Sequence, residues 1–108
     1  MRAVEISRPG GPEVLKPTER PVPVPKPNEI LVKVAAAGVN RPDVLQRTGH
    51  YPVPPDASDL PGLEIAGEVV QVGPQVTRWQ PSQMVCALVN GAGSVSYTHL
   101  TLPTNREV

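Results

Sequence analysis

The chain is 108 residues long, enough for one domain and too short for two. Ten basic residues balance ten acidic ones, so there is no basic excess of the kind that marks nucleic-acid or anionic-membrane binding. Fifteen prolines and nine glycines exclude a helical bundle, because proline costs about 3 kcal/mol inside a helix.

With no phenylalanine, the core must come from Val, Leu, Ile and Ala. The longest apolar run, Val34 to Val39, is too short to span a bilayer, and the first residues lack the apolar core of an export signal. Cys86 is the only cysteine, so neither an intrachain disulfide nor a thiolate zinc cluster can form, and a reducing cytoplasm is expected.

Arg2 to Ile6 alternates as a strand. Arg8-Pro9-Gly10-Gly11-Pro12 reads as a turn in which both glycines can take positive φ. Val14 to Arg20 is a return strand that Pro17 confines to an edge or a bulge. Pro21 to Pro27 alternates with proline and runs extended as a stiff connector. Glu29 to Val39 is the clearest strand, with Ile30, Val32 and Val34 on one face and Leu31, Lys33 and Ala35 on the other.

Gly38 ends that strand, and Asn40 stands where a helix cap belongs, with Pro42 and Asp43 in the first turn. Arg41 to Arg47 makes about two helical turns, which Gly49 stops. Tyr51 to Asp59 is a Pro-rich loop. Leu63 to Val72 is a second long strand, with a bulge or bend at Gly67. Met84 to Val89 is the last strand of residues 1–93. The pattern predicts a mainly β, barrel-like domain with one short helix.

Asn40, Arg41, Asp43, Gln46, Arg47 and Tyr51 gather an amide, a carboxylate, two guanidinium groups and a phenol on this helix and the loop after it. Taken singly they have ordinary explanations. Asn40 caps the helix, Asp43 complements its dipole, and Tyr51 packs on the barrel. A phenol is also a hydrogen-bond donor at neutral pH. Glu64, a carboxylate on an apolar strand, either faces water or serves the same cleft.

The segment Ala36 to Tyr51, the block Pro61-Gly62-Leu63-Glu64-Ile65-Ala66-Gly67-Glu68-Val69, the opening Met1 to Gly11 and Gln71-Val72-Gly73-Pro74 resemble the quinone oxidoreductase branch of the zinc-free medium-chain dehydrogenase/reductase superfamily, nearest the p53-inducible type. The resemblance covers residues 1–93. It implies a GroES-like, partly open barrel that is incomplete here, with residues 1–93 as the catalytic domain.

By position, Asn40, Arg41, Asp43 and Gln46 would lie at the nicotinamide end of NADPH, and Tyr51 would polarise a quinone or conjugated enone. The resemblance also implies a homodimer for the full-length form. Zinc alcohol dehydrogenases place a Cys where Asn40 stands and a His where Leu63 stands, so no metal is expected.

Two stretches depart from the pattern. Trp79 to Val85 lacks the family's Gly-Asp turn, and Gly91-Ala92-Gly93 opens no helix, so it is not a dinucleotide fingerprint. Ser94 to Val108 resembles a translated sequencing-adapter read-through and is set apart from the domain, which makes His99 and Tyr97 poor candidates for chemistry. A reductase fragment without activity of its own is the leading expectation. A non-catalytic GroES-like binding module and an enoyl reductase domain of a larger synthase are the alternatives.

Overall fold

The computed structural model describes residues 1–55, 57–101 and 105–107. β1 (Arg2–Ile6) and β2 (Leu15–Glu19) form an antiparallel pair in which Val4 lies opposite Pro17. Two-stranded pairing leaves room for a proline, whose missing N–H cannot serve a third strand.

The other sheet has five strands in the order β6-β3-β4-β5-β7, and it does not close into a barrel. Its members are β3 (Glu29–Ala37), β4 (Glu64–Val72), β5 (Met84–Leu88), β6 (Tyr97–Thr101) and β7 (Asn105–Glu107). Among the described residues the fold is thus mainly β with one α-helix, α1 (Arg41–Thr48), as expected for an incomplete GroES-like barrel.

Period-two alternation builds the core. Ile30 and Val32 from β3, Ile65 and Val69 from β4, and Val85 and Ala87 from β5 meet Val89, Leu100 and Trp79 in one buried cluster. Trp79 is 4 % exposed, and its indole N–H finds no acceptor among the described residues. The Arg78 guanidinium lies 5.4 Å from its ring centroid. A smaller cluster of Ala3, Leu60 and Val95 joins the β1–β2 pair to the main sheet.

Several local expectations are revised. Gly10 and Gly11 do not take positive φ. Among the described glycines that conformation belongs to Gly49, Gly62 and Gly91. Pro12–Val14 instead winds into a 3-10 turn that buries Val14, so β2 starts one residue later than predicted. β3 ends at Ala37, two residues short of Val39, because the chain must leave the sheet to cap α1.

The irregularity predicted at Gly67 is present, but the extra residue is Ala35 on β3, since Val34 pairs with Gly67 and Ala36 with Ala66. A Cβ on Gly67 would collide with the Lys33 carbonyl oxygen, which explains the glycine. The stretch that the sequence sets apart contributes β6. It pairs with β3 from Lys33↔Tyr97 to Glu29↔Thr101, and Thr98 and Leu100 are buried. No helix among the described residues is long and apolar enough to cross a membrane.

Candidate functional site

α1 is eight residues long and has no fully buried residue, so its ends hold it in place. Asn40 is the N-cap, in extended conformation. Its backbone N–H donates to Asp43 Oδ2 at 2.9 Å, and the Asp43 N–H donates to the Asn40 carbonyl at 3.0 Å. At the other end Gly49 is left-handed with φ 88°, and the Gly49 and His50 N–H groups close onto Gln46 and Leu45 carbonyls. Arg47 ties the helix to the N-terminal turn, with Nε donating to the Gly10 carbonyl at 3.2 Å and the Gly10 N–H donating to the Arg47 carbonyl at 3.0 Å.

The residues singled out from sequence fall into three places. Gln46 and Tyr51 share a small hollow of about 40 Å³, lined also by Val53, Pro54, Leu63 and Asn90. Asn40 sits at the helix mouth, where its Nδ2 donates to Glu64 Oε1 at 2.9 Å. Glu64 follows Leu63, so the two places adjoin along the chain. Arg41 is exposed at the first helical position.

Asp43 is directed elsewhere. Its second oxygen, Oδ1, accepts from the Gly62 N–H at 3.1 Å, so backbone donors occupy both carboxylate oxygens. It also lines a separate, mostly apolar cavity of about 150 Å³ with Val4, Val39 and Val44.

Gly38 explains how Glu64 reaches Asn40. The Gly38 N–H donates to the Glu64 carbonyl at 3.0 Å, and a Cβ on Gly38 would overlap the Glu64 carboxylate. The missing side chain is the space in which that carboxylate lies.

Sequence reading found Gln46 but not Asp59 and Arg20, with which it holds the loop carrying Tyr51. Gln46 Nε2 donates to the Asp59 carbonyl at 3.1 Å. The Asp59 carboxylate is gripped by Arg20, whose Nη1 and Nη2 reach Oδ1 at 3.2 Å and Oδ2 at 3.1 Å, while Nη2 also reaches Glu5 Oε2 at 3.3 Å. These hydrogen bonds hold the Asp59 carboxyl below the usual carboxylate range and raise Arg20 further. No local signal joins Arg20 to Asp59, which lie 39 positions apart.

Among the described residues, no group of three or more His, Cys, Asp and Glu side chains could hold a metal ion. The Gly91–Gly93 turn leads to Val95, which bridges to Ala3, and then to β6, so it presents no helix N-terminus for a pyrophosphate.

Residues 26–101 match the family model described as the alcohol dehydrogenase GroES-like domain. The chain belongs to this family. It is 41 % identical to a quinone oxidoreductase of Lama guanicoe over 86 residues, which are 79 % of this chain and 26 % of that one.

Two solved structures show the same fold. The Escherichia coli quinone oxidoreductase complexed with NADPH matches with a TM-score of 0.86 at 32 % identity, over 100 % of this chain and 33 % of that one. The human synaptic vesicle membrane protein VAT-1 homolog-like protein matches with a TM-score of 0.92 at 28 % identity, over 100 % and 34 %. The chain therefore spans between a quarter and about a third of the length of these proteins, and its kinship is with oxidoreductases of the quinone oxidoreductase group.

Proposed function

We propose that this chain is the substrate-side domain of a metal-independent reductase that uses NADPH to reduce a quinone or a conjugated enone. The observation that carries the reading is the Asn40–Glu64 contact at 2.9 Å, one residue along the chain from Leu63, which lines the hollow of Gln46 and Tyr51. An amide and a carboxylate hold each other where the zinc enzymes of the superfamily keep a metal ligand. The quinone oxidoreductase relatives, one of them in complex with NADPH, support the substrate and cofactor classes. The reading carries with it a cytoplasmic, homodimeric full-length form.

When bound, NADPH supplies a hydride to the electron-poor acceptor. Asn40, Arg41 and Gln46 are the residues that would hold its nicotinamide end. Asp43 serves this site at one remove, by fixing the Asn40 backbone and the Gly62 turn. Tyr51 would donate a hydrogen bond from its hydroxyl, and keep its proton, to the acceptor oxygen, where negative charge develops during reduction. A donor already in place there lowers the barrier. Val53, Pro54 and Leu63 give the hollow an apolar wall, of which Leu63 is half-buried and the two loop residues are exposed.

Residues 1–108 alone are expected to reduce no quinone at a measurable rate. A titration followed by NADPH fluorescence checks the cofactor side, and saturable micromolar binding contradicts it. The catalytic side is tested in a chimaera in which this chain replaces the matching third of the Escherichia coli quinone oxidoreductase. NADPH-dependent reduction of a benzoquinone, reduced at least about a hundredfold by Tyr51→Phe, is expected. A chimaera that folds and binds NADPH but reduces nothing, or one indifferent to Tyr51→Phe, overturns the assignment.

A further inference from the structure

We infer that Arg20, which touches neither the hollow nor the helix mouth, is a positioning residue that sets the place of Tyr51 through Asp59 and Gln46. The inference rests on the role proposed for the hollow. Arg20 stands on a fixed base. Its backbone N–H donates to the Met1 carbonyl at 3.0 Å, and its own carbonyl accepts from the Met1 amino group at 2.7 Å, locking it to the start of β1. From there the guanidinium extends two parallel bonds to Asp59. A planar fork fixes orientation as well as distance, which a single bond does not.

The grip continues inward from Asp59. Its carbonyl receives the Gln46 amide, and Gln46 lines the hollow with Tyr51. The residues on either side each have one backbone bond to the turn at residues 90–92, which the fork reinforces. The Ser58 N–H donates to the Asn90 carbonyl at 3.3 Å, and the Leu60 carbonyl accepts from the Ala92 N–H at 2.9 Å. Asp59 is therefore a hydrogen-bonded point, beside the Ala3–Leu60 packing, at which the β1–β2 pair can act on the hollow. The pair is exposed, with the Arg20 and Asp59 side chains 33 % and 73 % accessible. An exposed ion pair adds little to global stability, so what the fork contributes is placement.

The test uses the full chain with no substrate or cofactor, so its result is independent of the reductase reading. Amide exchange and the Tyr51 ring resonances are compared between the parent, Arg20→Gln and Arg20→Lys. In Arg20→Gln the Ser58 and Leu60 amides should exchange at least about fivefold faster, by local opening. The Tyr51 ring resonances should move, while β3 and β4 amides and the melting temperature stay as in the parent. Arg20→Lys, which keeps the charge and loses the fork, should fall between the two. Asp59→Asn should reproduce the loosening from the other side. If Arg20→Gln leaves the loop and Tyr51 unchanged, or speeds exchange throughout β3 and β4, the inference is overturned.

Discussion

Asp59 is held twice from different parts of the chain, its carboxylate by the Arg20 fork at 3.1 and 3.2 Å and its carbonyl by Gln46 at 3.1 Å. The carboxyl accordingly sits below the ordinary range, chiefly because Arg20 donates to it. Folding lowers this pKa, so the unfolded chain takes up the proton first as the solution is acidified. The stabilisation is complete above the ordinary aspartate range and is lost as pH falls from there through the lowered folded value. A carbon-13 titration of the Asp59 carboxyl should show the depressed midpoint, and Arg20→Gln should move that midpoint upward.

Asp43 is expected to act on stability before anything else. Replacing it with Ala strands the Asn40 and Gly62 N–H groups, each of which now donates to a carboxylate oxygen. The loss should be about 1–3 kcal/mol in urea unfolding. Asp43→Asn, which keeps one acceptor, should cost less.

Gly38 and Gly62 separate two reasons for a glycine. A Cβ on Gly38 would meet Glu64 Cγ and Cδ at 2.5 Å, and these belong to a side chain that can swing away. Gly38→Ala should therefore fold with a loss below about 1.5 kcal/mol, the net value of one hydrogen bond. The Asn40 side-chain amide resonance should shift as Glu64 leaves. Gly62 has φ 105°, and its Cβ would meet Ser94 N at 2.5 Å and Gly93 Cα at 2.7 Å, which are backbone atoms that cannot move aside. Gly62→Ala should lose at least about 2 kcal/mol, seen as a large drop in melting temperature.

The turn that departs from the family pattern offers a gain. Ser82 sits at φ 81°, a left-handed conformation that L-residues other than glycine adopt at a cost of roughly 1–2 kcal/mol. Its side chain is exposed. Ser82→Gly should raise stability by about 0.5–1 kcal/mol, after the extra chain entropy of glycine in the unfolded state is counted. Thermal unfolding measures it.

What was legible in the sequence was whatever a few neighbouring residues decide. The Asn40 cap, the Gly49 stop and the inward face Ile30, Val32, Val34 all follow from spacing, and all are found in place. What was not legible depends on partners far along the chain. Gly38 is glycine because of Glu64, Asp43 takes the Gly62 N–H from 19 positions away, and Arg20 finds Asp59 across 39 positions. Gly10 and Gly11 misled because turn composition does not say which glycine takes the positive φ. At Gly67 the bulge was legible and its strand was not, since register belongs to the pair.

Trp79 is the only tryptophan of the chain, enclosed by the sheet with its ring nitrogen unmatched among the described residues and Arg78 lying over its face. An indole so shielded emits at the short-wavelength end of its range and moves to longer wavelengths once water reaches it. The molecule thus carries its own optical reporter of whether the sheet interior is intact. Because that reporter lies outside both the Tyr51 hollow and the Asn40 mouth, damage to the scaffold and damage to the site give separate signals in one sample.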